Sequence, residues 1–187
     1  FVKKKKLILF EDTCESLGTT YNKKHLGTFG DYGMYSFYYS HQITSGEGGM
    51  VVCGSEKNYN ILKSLRSHGW SRDTKFHKDI VKKYKNLDEN FLFINSGFNL
   101  RPTDIQAAIG NNQLKIIDKF INIRNENREK IINCLKKSPK WNGQFNFINS
   151  KKNISPSWFG LAVLVNPLYR NKIKKFLKFI NKKEIET

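Results

Sequence analysis

Apolar positions in this chain fall into short blocks whose period changes along its length. Leu7 to Phe10 (LILF) is a continuous apolar run, as a strand covered on both faces carries. It delivers Glu11 and Asp12 at its carboxyl end, where open α/β sheets place ligands. Spacing alone leaves Asp12 open between a ligand-facing role and that of a helix cap or turn acid. Leu17 to Gly33, broken by Gly18, Gly27 and Gly30, predicts a loop or short hairpin at the sheet edge. Met34 to Tyr39 (MYSFYY) predicts an aromatic strand and Met50 to Cys53 (MVVC) the next. Gly46, Gly48 and Gly49 lie between them, available for positive φ or close approach.

Further on, the period becomes helical. Ser55 opens a helix carrying Ile61, Leu62 and Leu65 and ending near His68–Gly69, with His68 as a cation at its C-terminus. Trp70 to Asp88 has no clean period and predicts an irregular, mobile excursion. Pro102 and Thr103 open a helix with Ile105, Ala108, Ile109 and Leu114 on one face, and Ala107, Ala108 and Gly110 allow another helix to approach. Ile116 to Leu135 predicts a long amphipathic helix burying Ile117, Phe120, Ile121, Ile131 and Leu135. After a turning stretch past Pro139, Trp158 to Val165 predicts a strand and Pro167 to Asn181 a basic amphipathic helix. This order gives an α/β chain divided into residues 1–125, part of a large domain, and 126–187, the start of a smaller α+β domain.

Composition adds limits. With 187 residues and 39% hydrophobic content the chain can bury a core. Its net charge of +17 would suit nucleic acid, but the lysines are spread over every segment. Only Lys3 to Lys6 are dense, and no aromatic–basic interleaving follows them, so no nucleic-acid partner is expected. A positive field also favours a doubly anionic sugar nucleotide. No apolar run reaches 18 residues, so no membrane span and a cytoplasmic location are expected. Cys14, Cys53 and Cys134 have neither disulfide-framework nor metal-ligand spacing and read as reduced thiols. The start at Phe1, and a new strand expected from Ile185 with nothing to pair it, suggest an internal piece of a longer protein.

The candidate chemistry centres on SFYYSHQITSGEGG, where His41 stands between the aromatic strand and the glycine-dense turn. An imidazole with an ordinary pKa of about 6.5 moves protons near neutral pH.

The segments FEDTCESLG, GTFGDYGMYSFYYSHQITSGEGGM, LRSHGWSRD, GFNLRPTDIQAAIG and SWFG, in this order, resemble the DegT/DnrJ/EryC1/StrS sugar aminotransferase family, which uses pyridoxal phosphate. The resemblance runs from about Leu7 to Thr187. It implies the fold of aspartate aminotransferase (fold type I), with a three-layer α/β/α large domain and the start of a small α+β domain. Residues 1–125 would then be the C-terminal part of the cofactor-binding domain. The family's aminotransferases carry a lysine at position 41 that holds the cofactor covalently. Here the residue is His41, as in the sugar 3-dehydratases of the family, and Gln42 stands where such a dehydratase has a second histidine. The WSRDTKFHKD region lacks the cysteines with which one member binds an iron–sulfur cluster.

By resemblance, His41 is the catalytic base, Asp12 pairs with the pyridine nitrogen and Ser36 binds the cofactor phosphate. Glu15 lies near the ring hydroxyl, and Asn99 reaches the phosphate of the neighbouring subunit's cofactor, which implies a homodimer. The implied cofactors are pyridoxal 5'-phosphate and pyridoxamine 5'-phosphate. The implied reaction removes the 3-hydroxyl of a nucleotide-linked 4-keto-6-deoxy sugar with L-glutamate as amino donor. Transamination of such a sugar is the alternative.

Overall fold

The computed structural model describes Phe1–Ile185. The strand expected to start at Ile185 would run into residues 186 and 187, which lie outside the described part. A short helix, α1 (Val2–Lys5), leads to β1 (Phe10–Asp12), which pairs in parallel with β4 (Tyr32–Ser36). β5 (Gly49–Cys53) pairs antiparallel with the other side of β4, giving the order β1-β4-β5. The valine strand thus forms as the sequence predicts, but only half of the expected aromatic strand does: Phe37, Tyr38 and Tyr39 fall in the following loop, where the Phe37 N–H pairs with the Gly48 carbonyl. Here β4 starts two residues earlier than expected and ends at Ser36.

The apolar run Leu7–Phe10 does not become the strand. Pairing begins only at Phe10, and Leu7, Ile8 and Phe10 are exposed, because little among the described residues covers them. A continuous apolar run reports that both faces are meant to be covered; it does not report where hydrogen bonding starts.

Between β1 and β4 the expected hairpin is present as β2 (Thr20–Tyr21) and β3 (Lys24–His25). Its two turn residues, Asn22 and Lys23, have φ of 48° and 63°, the left-handed pair that a two-residue hairpin requires. On its other edge β2 pairs antiparallel with β7 (Ile154–Ser155), from far along the chain. The turning stretch past Pro139 therefore contains two strands not foreseen, β7 and β6 (Phe145–Phe147), the latter pairing with β8 (Val163–Val165). Both are two or three residues long, too short to show a period.

Helix α2 (Glu56–Arg66) is capped by Ser55, whose hydroxyl accepts from the Asn58 N–H at 3.4 Å. It stops before His68, which lies outside the helix with φ 59°. The side chains it buries most deeply are polar: Asn60 accepts from the Lys75 N–H at 2.8 Å and Ser64 accepts from Asn95 at 3.1 Å. The first of these bonds ties down the stretch expected to be irregular, which holds α3 (His77–Lys83) and is followed by a 3-10 turn at Glu89–Phe91.

Helix α4 (Asp104–Leu114) opens on Thr103 with a complete capping box to Gln106. Its expected face forms, but Ile105, Ile109 and Leu114 are exposed. The neighbour met by small Gly110 is Ser45 of the loop after β4, rather than a helix.

Helix α5 (Ile117–Lys137) is continuous through residue 125. Ile117, Phe120 and Ile121 lie on its covered side as expected, whereas Ile131 and Leu135 are exposed and Ile132 is buried instead. The covered stripe continues through Arg124, Asn125 and Arg128, polar residues that a hydrophobic pattern passes over.

Those three residues explain why Trp158 to Ala162 is not a strand. Arg124 donates to the Phe159 carbonyl at 2.9 Å and Asn125 to the Pro156 carbonyl at 3.1 Å, while the Arg128 guanidinium lies 4.2 Å from the Trp158 ring centroid. Side chains of α5 take the carbonyls that a sheet partner would otherwise take. After β8, a 3-10 turn at Pro167–Lys172 leads into α6 (Ile173–Asn181). Among the described residues the buried apolar side chains are Tyr35, Ile43, Leu92 and Ile132.

Candidate active site

Two parallel strands set the site. Because β1 and β4 run the same way, with Asp12 opposite Met34, their carboxyl ends present Asp12 and Ser36 at one edge. Thr13 continues the register, its N–H donating to the Met34 carbonyl at 3.0 Å and its hydroxyl to the same oxygen at 2.5 Å.

Successive strand residues point to opposite faces, so the two adjacent carboxylates separate. Glu11 accepts from the N–H groups of Gly27 at 2.8 Å and of Phe29 and Gly30 at 2.6 Å, fastening the loop before β4. Asp12 instead accepts from the Cys14 N–H at 3.2 Å. Hydrogen bonding from the Cys14 side chain, and then from its N–H, lowers the Asp12 pKa below its ordinary value, so the group is an anion at neutral pH. The Cys14 thiol is pushed up to about 11, by burial first and by Asp12 second.

His41 sits in the loop between β4 and β5, and that loop is built to hold a shape. The Phe37 N–H donates to the Gly48 carbonyl at 2.9 Å, and the Ser45 N–H donates to the Phe37 carbonyl at 3.0 Å. The Ser45 hydroxyl donates to the Glu47 carbonyl at 2.9 Å. A Cβ on Gly48 would lie 2.5 Å from the Ser45 Oγ, and Gly46 has φ +82°, so the glycine-dense turn is required both for close approach and for handedness. The His41 ring meets Tyr38 edge-on at 5.8 Å and Phe159 at 5.3 Å and 89°, while its Nδ1 is buried without a hydrogen-bond partner.

Ser36 ends β4, and its Oγ accepts from the Tyr38 N–H at 3.3 Å, leaving the hydroxyl proton to be donated outward. Glu15 is joined to the histidine loop through its backbone, where its carbonyl accepts from Gln42 Nε2 at 2.5 Å. Its side chain is exposed, on the wall of a groove of about 770 Å³ that Ser16, Trp158 and Phe159 also line. Asp12 and Ser36 thus stand at the carboxyl ends of neighbouring strands, and the Glu15 carbonyl is tied to the loop that carries His41.

Asn99 belongs to a different neighbourhood. It bridges to Ser67 after α2, and its Oδ1 accepts from Arg101 at 3.4 Å, beside His68 and Trp70. Sequence reasoning noted Gln42 beside His41 but not its bond to Glu15, and it missed Phe159 as a neighbour of the site. Their signal was position alone: Gln42 next to the histidine, and Phe159 inside a motif noted for resemblance.

Comparison with known proteins decides the family. The DegT/DnrJ/EryC1/StrS aminotransferase family model matches residues 1–187. The chain belongs to that family. One DegT/DnrJ/EryC1/StrS relative, GDP-4-keto-6-deoxy-D-mannose 3-dehydratase of Escherichia coli O55:H7, is 38% identical over 161 residues, covering 85% of this chain and 40% of its own length. The solved E. coli GDP-4-keto-6-deoxy-D-mannose 3-dehydratase with bound hydrated PLP superposes with a TM-score of 0.83 at 33% identity, over 99% of this chain and 46% of that one. Another structure of a GDP-4-keto-6-deoxymannose 3-dehydratase, holding a trapped PLP-glutamate geminal diamine, gives a TM-score of 0.84 at 32% identity, over 99% of this chain and 47% of that one. The chain therefore spans less than half the length of the relatives it matches. Its fold is the α/β, aspartate-aminotransferase-like fold type I of the DegT/DnrJ/EryC1/StrS family. Among the described residues no helix is long and apolar enough to cross a membrane, and no group of three or more His, Cys, Asp or Glu could hold a metal ion.

Proposed function

We propose that this chain is the part of a pyridoxal-phosphate-dependent nucleotide-sugar 3-dehydratase that carries its catalytic base, His41. The observation that carries the reading is His41 itself. Where the family's aminotransferases have a lysine, an imidazole with a buried, unpartnered Nδ1 stands in the loop that follows β4. The donor set suits the cofactor: Asp12 is an anion held low by Cys14, and the Ser36 hydroxyl has a proton to give to a phosphate oxygen. Residues 1–125 would belong to the cofactor-binding domain and 126–187 to the start of the small one.

When bound in its aminated form, pyridoxal phosphate supplies the electron sink for carbon–oxygen cleavage. Asp12 would hold the proton at the pyridine nitrogen, Ser36 would donate to the phosphate and Glu15 would lie near the ring hydroxyl. His41 would serve as the base beside the bound cofactor and, once protonated, would return a proton to the departing 3-hydroxyl of a nucleotide-linked 4-keto-6-deoxy sugar. Asn99, on its separate surface, serves the phosphate in a neighbouring subunit, which makes the enzyme a homodimer. In sum, L-glutamate becomes 2-oxoglutarate, its nitrogen leaves as ammonia and the sugar loses one oxygen. The enzyme would be cytoplasmic and serve deoxysugar and lipopolysaccharide synthesis.

The test uses the full-length protein with pyridoxal phosphate, L-glutamate and GDP-4-keto-6-deoxymannose, following ammonia and the mass of the sugar. A product one oxygen poorer, lost by about 100-fold or more in His41→Asn, is expected. An aminated sugar that keeps its 3-hydroxyl would make the protein an aminotransferase instead.

A further inference from the structure

We infer that Gln42 is a positioning residue, whose amide ties the histidine loop to the segment after β1 and so fixes His41 relative to Asp12. The inference rests on the proposed role of His41. Gln42 is only 3% exposed, although it is polar and lies in a loop between two strands. A buried primary amide has to find partners or lose stability. Its Nε2 donates to the Glu15 carbonyl at 2.5 Å, a bond between residues 27 apart. Glu15 is one residue beyond Cys14, which holds the Asp12 carboxylate. One short path therefore links the acid to the base: Asp12, Cys14, the Glu15 carbonyl, the Gln42 amide, His41.

The remaining bonds of the loop do not provide this link. Those from Phe37, Thr44, Ser45 and Gly46 close the loop on itself, and the one from Gln106 ties Glu47 to α4. Gln42 alone reaches the β1 side through its side chain. Its Oε1 is buried without a partner, so the amide is held from one end and stays oriented only while the Glu15 carbonyl is paired. With the bond removed, both the Glu15 carbonyl and the histidine loop lose their fixed relation. A displacement of about 1 Å at a reacting group can cost about 100-fold in rate.

The experiment compares Gln42→Leu and Gln42→His with the wild type in the full-length enzyme, measuring kcat, the KM for glutamate and His41 carbethoxylation by diethyl pyrocarbonate, the last without cofactor. Leucine keeps the volume and removes the donor; histidine restores an N–H. Expected are a 10- to 100-fold loss of kcat in Gln42→Leu with KM within about twofold, several-fold faster labelling of His41, and recovery of both in Gln42→His. A Gln42→Leu enzyme with kcat within twofold of wild type, or with slow kcat and unchanged His41 labelling, overturns the inference. Should Gln42→Leu not fold, Gln42→Glu decides: its protonated acid can donate to the carbonyl and its anion cannot, so its rate falls as pH rises, and a profile parallel to wild type overturns the inference. A wild type that forms no deoxygenated sugar defeats the dehydratase reading instead, a separate result.

Discussion

The histidine loop and helix α4 touch, joined by a 2.9 Å hydrogen bond from Gln106 to the Glu47 carbonyl, yet they handle burial in opposite ways. The loop has no regular structure, but it buries Gln42, Ile43 and Ser45 and satisfies its backbone from within. The helix is regular and fully capped, but it leaves Ile105 74% exposed, with Ile109 and Leu114 also open. Local order and burial are thus separate properties. The loop carries most of its own support, whereas the helix leaves its apolar face open among the described residues.

The comparison is sharpened most strongly at the site. Asp12→Asn removes the anion at the sheet edge and leaves the loop's hydrogen bonds in place. We expect kcat to fall about 100- to 1000-fold with the melting temperature little changed. Because its pKa is depressed, Asp12 stays charged as pH falls through its ordinary value and loses the charge only below its lowered one. The wild-type rate should therefore show no loss attributable to Asp12 between pH 5 and 8. A smaller effect is expected on the helix: in the homodimer proposed above, with the α4 face as its seam, Ile109→Glu should weaken self-association of the full-length protein by about 100-fold in sedimentation equilibrium, while His41 labelling stays at the wild-type rate. Equal disturbance of both would break the contrast.

Gly48→Ala tests the loop's own packing. The new Cβ would meet the Ser45 Oγ at 2.5 Å, and a loss of about 1–2 kcal/mol in chemical denaturation is expected. The smallest effect concerns Cys14, which with a pKa of about 11 should react with iodoacetamide at pH 8 about 100-fold more slowly than an ordinary thiol. Asp12→Asn should speed that reaction, since the nearby anion is part of what raises the thiol.

The site was more legible in the sequence than the parts that frame it. An aromatic strand, an imidazole and three glycines within fourteen residues admit few geometries, and the turn and β5 follow them closely, while β4 keeps only the first half of the aromatic run. The start of β1 was not legible, because an apolar run reports coverage and not pairing. Nor was the irregular path of Trp158 to Ala162, because the forces that set it come from Arg124, Asn125 and Arg128, more than thirty positions away for the two carbonyl bonds to Trp158 and Phe159. Strands β6 and β7 are fixed by remote partners and not by their own two or three residues. Glu11 and Asp12 looked equivalent in sequence; only the alternation of a strand assigns one to a loop and the other to the site.

The pairing of β2 with β7 also orders events in time. Thr20 and Tyr21 lie against Ser155 and Ile154, and the Thr19 hydroxyl receives the Ser157 N–H across 138 positions. At a synthesis rate of about 5–20 residues per second, the early hairpin waits on the order of ten seconds before its third strand exists. Contacts of such separation close late and slowly. Until then Tyr21 and its neighbours present a strand edge with nothing beside it, the stage at which a nascent chain has most need of a chaperone.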